Sequence, residues 1–152
     1  MTRKPRSYME LALQEAADGA SKGEVPVGAV LVDGKSGEVI ARSHNQVEGA
    51  RDPTAHAEMI VIREAAARLG LKRLSDADLY VTLEPCAMCA GAIVLARLRR
   101  LYFGAYDPKG GAIDHGARLF AQPTSNHRPE VAGGIDETRC AAMLRHFFRQ
   151  HR

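Results

Sequence analysis

The chain has 152 residues, 45% of them hydrophobic and 26% charged, with a formal net charge of +3. That balance suits one folded unit over residues 1–152 with an apolar core, and fourteen glycines and seven prolines are too few for a disordered or fibrous chain. No apolar run nears the roughly 18 residues that cross a bilayer, and the basic start Met1-Thr2-Arg3-Lys4-Pro5-Arg6 runs into Glu10, Gln14, Glu15 and Asp18 rather than the apolar stretch of a secretion signal.

Ser7-x-x-Glu10 reads as a capping box opening a first helix. Met9, Ala12, Leu13, Ala16, Ala17 and Ala20 give it an apolar stripe that stops near Gly19 or Gly23. Val27 to Val32 is a short apolar strand, Asp33-Gly34-Lys35-Ser36-Gly37 a turn, and Val39 to Ser43 the hairpin partner. A polar loop from Asn45 to Pro53 precedes a helix that begins near His56 and reaches Gly70. Leu79 to Leu83 is the next strand, and Pro85 starts a helix ending near Leu98. Leu101-Tyr102-Phe103 is a fourth strand. The segment from Gly104 to His127 is long and punctuated by Gly and Pro, with one helical turn at Ala117 to Ala121; loops of that length in compact domains usually carry function. Pro129 to Gly133 is a fifth, edge strand. A last helix from Glu137 to Arg149 places Cys140, Met143, Leu144, Phe147 and Phe148 on one face. Strands alternating with helices in this order predict an α/β fold, a mixed sheet with helices on both faces.

Two short segments carry the chemistry: Thr54-Ala55-His56-Ala57-Glu58 and Pro85-Cys86-Ala87-Met88-Cys89. Cys86 and Cys89 lie three apart, so at a helix start they share a face and can touch one ion. The exposed amides of a helix N-terminus also favour thiolate. Together with His56 they make three ligands suited to Zn²⁺, where a structural site closes with four. The fourth position is then left for water, and a non-ligand Glu58 beside it can move protons. His56 and Glu58 are two apart and can serve one cavity only at a helix mouth, with Asp52-Pro53-Thr54 as cap residues. A thioredoxin-like dithiol also follows a strand and opens a helix, but it has no use for His-x-Glu. Three cysteines, two of them in this motif, do not form a disulfide framework, and a reducing cytoplasm fits them.

Other candidates read as structural. Cys140 falls on the apolar face of the last helix, and His44, His115 and His127 lack ligand-spaced partners and are loop residues by default. Arg139, Arg145, Arg149 and Arg152 crowd the chain's last fourteen residues, a pattern that is either a solvated helix face or a surface for RNA phosphates.

The motif H-x-E…P-C-x-x-C is shared by zinc-dependent deaminases. Beyond it the chain resembles the bacterial tRNA-specific adenosine deaminases of the cytidine deaminase-like superfamily. Glu24-Val25-Pro26-Val27-Gly28-Ala29-Val30, Asp52 through Glu58, Leu79 through Cys86, Phe103-Gly104-Ala105, Asp107, Asn126-His127-Arg128 and Phe147-Phe148-Arg149 carry the resemblance, over about residues 8 to 149. It implies a three-layer α/β/α fold with a five-stranded sheet, a cytoplasmic homodimer, and hydrolytic conversion of the anticodon wobble adenosine of tRNA to inosine. It also implies zinc on His56, Cys86 and Cys89, a proton shuttle at Glu58, and contact of Asn45 with the flipped nucleoside. Asp107 would meet a neighbouring nucleotide, and Phe148 and Arg149 would lie near the anticodon loop. The chain departs from the family's usual pattern at Gly110-Gly111-Ala112-Ile113-Asp114-His115-Gly116. A deaminase of free guanine, cytosine or a nucleoside would share the zinc site, and a non-catalytic RNA-binding subunit with structural zinc would have no need of Glu58.

Overall fold

A computed structural model describes residues 5–151. Helix α1 spans Pro5–Ser21, followed by β1 (Gly28–Asp33), β2 (Val39–His44), a single turn α2 (Val47–Ala50) and α3 (Ala57–Leu69). Then come β3 (Ala77–Leu83), α4 (Ala87–Ala96), β4 (Arg100–Ala105), a 3₁₀ turn (Leu119–Ala121), β5 (Glu130–Ala132) and α5 (Glu137–Gln150). Among the described residues no helix is long and apolar enough to cross a membrane.

The five strands form one sheet in the order β2-β1-β3-β4-β5. Strand β1 runs antiparallel to β2 and β3, while β3, β4 and β5 are mutually parallel. Helices α1 and α5 pack together on one face, and α3 and α4 on the other, giving three layers, α/β/α. The two central strands explain the apolar runs in the sequence: Ala29 to Val32 and Leu79 to Val81 are buried on both faces, as strands covered by two helical layers must be. At Gly28 a Cβ would collide with the backbone of Ala12, so glycine lets α1 lie close on the sheet. The parallel pair β3 and β4 is joined through α4, and this crossover fixes the site, because ligands in such sheets gather beyond the carboxyl ends of the strands.

Several boundaries differ from the sequence expectation. Helix α1 already includes Pro5, so Ser7 lies inside it and is no cap. Strand β3 begins two residues earlier than Leu79, and the Asn45 to Pro53 loop contains α2. On α5, Phe147 is buried but Phe148 is 53% exposed, because the apolar stripe ends there.

Candidate active site

Two helix N-termini meet at the carboxyl end of β3. His56 is the N-cap of α3, in extended backbone (φ −74°, ψ 148°), and Glu58 is the second residue inside that helix. The rule that i and i+2 diverge on a helix therefore does not apply, since His56 is not helical. Cys86 is likewise the extended N-cap of α4, with Cys89 three residues on, inside the first turn. The Asp52-Pro53-Thr54 segment does not cap α3 as expected. Asp52 instead accepts the N–H and hydroxyl of Thr54, both at 2.8 Å, and the Ala57 N–H is taken by Asn45 Oδ1 at 2.8 Å.

The sulfurs of Cys86 and Cys89 lie 3.6 and 3.5 Å from Nδ1 of His56. Donors of one tetrahedral Zn²⁺, with Zn–S about 2.3 Å and Zn–N about 2.0–2.1 Å, stand roughly 3.5–3.6 Å apart, nitrogen to sulfur. The spacing thus fits this ion. So does the charge pattern. A hydrogen bond from Cys89 holds the Cys86 thiol down at about 4, and the same bond pushes Cys89 well up, so the pair shares one negative charge. The bond to Cys86 raises His56. A divalent cation bound here would take the place of these shared protons and satisfy both sulfurs and the ring nitrogen.

Glu58 is 4% exposed, and its Oε1 is buried without a hydrogen-bond partner. Burial pushes its carboxyl up to about 7. A buried carboxylate oxygen with no partner is costly, and its persistence beside three metal donors marks it as a group awaiting a ligand. His56, Glu58 and Cys86 line a cavity of about 350 Å³ with Asn45, Glu24, Val27, Leu83, Asp107 and Gly110. Because Asn45 Oδ1 is committed to the α3 amide, its Nδ2 donors are the half left for a ligand.

The cavity walls are held by two carboxylates that sequence reasoning passed over. Glu24 accepts the Glu48 and Gly49 amides at 3.0 and 2.8 Å, holding α2. Glu84 accepts amides of the 107–115 loop and the ring of His115 at 2.8 Å. Burial alone raises the Glu84 carboxyl, but these donors together bring it below its ordinary value. Both residues stood within matched family text; what they do depends on partners twenty or more positions away. His115 is therefore no free loop residue, and neither is His44, the last residue of β2, whose Nδ1 faces Glu15 at 3.2 Å and Asp18 at 3.8 Å. His127 Nε2 meets the Leu98 carbonyl at 2.6 Å.

A second cleft adjoins the cavity, sharing Val25, Leu83 and Asp107 with it. Its outer side carries Tyr106, Lys109, Arg145 and Phe148. Arg149 is exposed one residue beyond Phe148 and lines neither space; Arg152 lies outside the described residues. Arg139 pairs with Glu10 across α1 and α5. Cys140 is buried against Gly104, as its apolar position predicted.

Residues 4–152 match the model of the MafB19-like deaminase family. A tRNA-specific adenosine deaminase of Agrobacterium fabrum is 57% identical over 95% of this chain and 94% of its own length. One from Bacillus subtilis is 52% identical over 95% of this chain and 89% of its own. A solved structure from a study of A-to-I editing by tRNA:A34 deaminases at the wobble position of transfer RNA superposes with a TM-score of 0.88, at 56% identity over 91% of this chain and 99% of that one.

Proposed function

The chain belongs to the MafB19-like deaminases and to the tRNA-specific adenosine deaminases, and on that premise we propose that it hydrolyses the wobble adenosine of a tRNA anticodon to inosine, releasing ammonia. The observation that carries the chemistry is the partnerless Oε1 of Glu58 beside three converging metal donors. His56, Cys86 and Cys89 would hold one Zn²⁺, which when bound supplies a water acidified enough to act as nucleophile near neutral pH.

Glu58 manages the protons. Its carboxylate removes one from the attacking water and delivers it to N1 of the adenine as the water oxygen bonds to C6. It then takes the remaining hydroxyl proton and passes it to the amine on C6; the C–N bond breaks, ammonia leaves, and C6 becomes the carbonyl of inosine. Burial beside the three metal donors places this carboxyl where it can accept and return protons at the reacting water. Asn45 Nδ2 orients the nucleoside from the cavity wall, while the apolar Val27 and Leu83 exclude bulk water.

A 350 Å³ cavity is at the small end of ligand sites and suits one nucleoside. Adenosine held in a duplex cannot reach it, whereas an anticodon loop offers unpaired, splayed bases. Asp107, at the boundary with the second cleft, meets an adjacent nucleotide. Phe148 stacks on a base near the rim, and Arg145 and Arg149 contact phosphates. The whole chain acts as one deaminase domain, in the cytoplasm, as a homodimer; Leu69 and Leu95, exposed near the ends of α3 and α4, and Leu71, exposed just past α3, are apolar side chains for such a contact to cover.

The test is a side-by-side assay of an anticodon stem-loop bearing wobble adenosine against free guanine, cytidine and adenosine. Inosine should form in the stem-loop, with the free compounds turned over slowly or not at all. Rapid turnover of guanine or cytidine with the stem-loop untouched would transfer the chain to the free-base deaminases.

A further inference from the structure

Glu84 follows β3 directly and stands two residues before Cys86, with a side chain wholly shielded from solvent. Its Oε1 accepts the Asp107 amide at 2.9 Å and His115 Nδ1 at 2.8 Å. Its Oε2 accepts the amides of Ile113, Asp114 and His115 at 3.1, 2.9 and 3.2 Å. Amides from both ends of one loop thus wrap a single buried anion. The wrapping is tight at Gly111, where a Cβ would stand 2.5 Å from Glu84 Cδ and 2.6 Å from the Asp107 carbonyl oxygen. Because the carboxylate is an acceptor, His115 must present Nδ1–H, and this is the one side chain among the donors. The Tyr106 ring flanks it nearly at right angles, with ring centroids 6.2 Å apart.

The loop matters for what it carries. Asp107 and Gly110 line the catalytic cavity, and Asp107, Tyr106 and Lys109 line the neighbouring cleft. Asp107 Oδ1 is fixed by the Lys109 and Gly110 amides at 3.2 and 3.0 Å, so its aim follows the loop backbone. His115 also lies in the stretch where the sequence departs from the family's usual pattern. We propose that His115 is a positioning residue for the deamination: by donating Nδ1–H to Glu84 it fixes the 107–115 loop, and with it the wall that grips the nucleotide beside the target adenosine. Removing the donor frees the far end of the loop from the anion and lets Asp107 drift, while the metal donors and Glu58, on α3 and α4, stay in place. The role rests on the tRNA deaminase function proposed above, and it affects binding of the substrate more than the chemical step.

The experiment compares His115→Leu and His115→Asn in zinc-loaded protein on the anticodon stem-loop. An asparagine amide nitrogen can reach the place of Nδ1 and donate; leucine cannot. His115→Leu should raise KM about ten-fold, the low end for a hydrogen bond to a charged group, with kcat within about two-fold and zinc content unchanged. His115→Asn should stay within about three-fold of the parent KM, since the donor is kept. Independently of any substrate, amide hydrogen exchange at residues 113–115 should quicken about ten-fold in the leucine variant and not in the asparagine variant. An unchanged KM in His115→Leu, a fall in kcat with KM fixed, loss of zinc, or unaltered exchange overturns the assignment. A parent protein that leaves the stem-loop unreacted refutes the tRNA function instead, and the exchange rates still decide whether His115 holds the loop.

Discussion

Glu58→Gln separates the chemistry of the site from its folding. The amide keeps the size of the carboxyl but cannot accept a proton. General acid–base groups contribute roughly 10²–10⁴-fold, and one used for two successive transfers belongs in the upper part of that range. Turnover of the stem-loop should therefore drop by at least about 10³-fold. Stability should move the other way. Burial lifts the Glu58 carboxyl from 4.5 to about 7. The folded chain then holds a proton that the unfolded chain has released. The stability linked to this group is full below about 4.5 and is lost as pH rises through 7. At about 1.36 kcal/mol per pH unit, the ionised carboxylate costs the metal-free protein on the order of 3 kcal/mol above pH 7. Glutamine removes that cost but buries an amide, worth about 1–2 kcal/mol against folding. Chelator-treated Glu58→Gln should thus unfold in urea with about 1–2 kcal/mol more stability than its parent at pH 8, and with no such gain at pH 4.5. Retention of more than about a tenth of the parent kcat would refute the shuttle. A stability difference that does not grow with pH would refute the burial argument.

Cys86→Ala should lose zinc and unfold at a lower temperature, measured by metal analysis and thermal melting, because one of the three donors that converge there among the described residues is gone. Cys140→Ala should keep its zinc and its activity; its buried thiol packs on Gly104, so only a modest fall in melting temperature is expected. Replacing Arg145 and Arg149 together with alanine should raise KM for the stem-loop and leave zinc content unchanged. It should also make the log–log salt dependence of binding shallower by about 0.7 per lost phosphate contact; an unchanged slope would leave both arginines as solvated surface.

The sequence made the fold legible where periodicity is strong. Helix α3 starts after His56 and ends at Gly70 in a left-handed conformation, as a glycine stop predicts. The central strands declared themselves as unbroken apolar runs because helices cover both faces of the sheet. Short elements stabilised by distant side chains did not. Turn α2 was hidden because its amides are satisfied by Glu24, more than twenty residues upstream. The capping box at Ser7 had the right letters in the wrong place, since the helix was already under way. At the site, His56, Glu58, Cys86 and Cys89 stood out through the H-x-E…P-C-x-x-C motif and its spacing, and the fold brings the two sulfurs and the imidazole together. Asn45 was placed through the resemblance, while its bond to the α3 amide is a tertiary fact. Glu84 and His115 carry no local signal: a carboxylate before Pro-Cys and a histidine in a Gly-rich loop become partners only when β3 and the 107–115 loop meet. Phe148, grouped by periodicity with the apolar face of the last helix, stands at the edge of that stripe and reaches solvent, which leaves its ring free for the contact the resemblance implied.

X-ray absorption at the zinc edge of the loaded, substrate-free protein tests the open catalytic centre most directly. Two sulfurs at about 2.3 Å, one imidazole nitrogen at about 2.0–2.1 Å and one light, exchangeable oxygen are expected, at one zinc per chain. A closed shell with a fourth protein ligand, or coordination that persists unchanged in Cys86→Ala, would contradict a centre built from His56, Cys86 and Cys89 with Glu58 serving the fourth position.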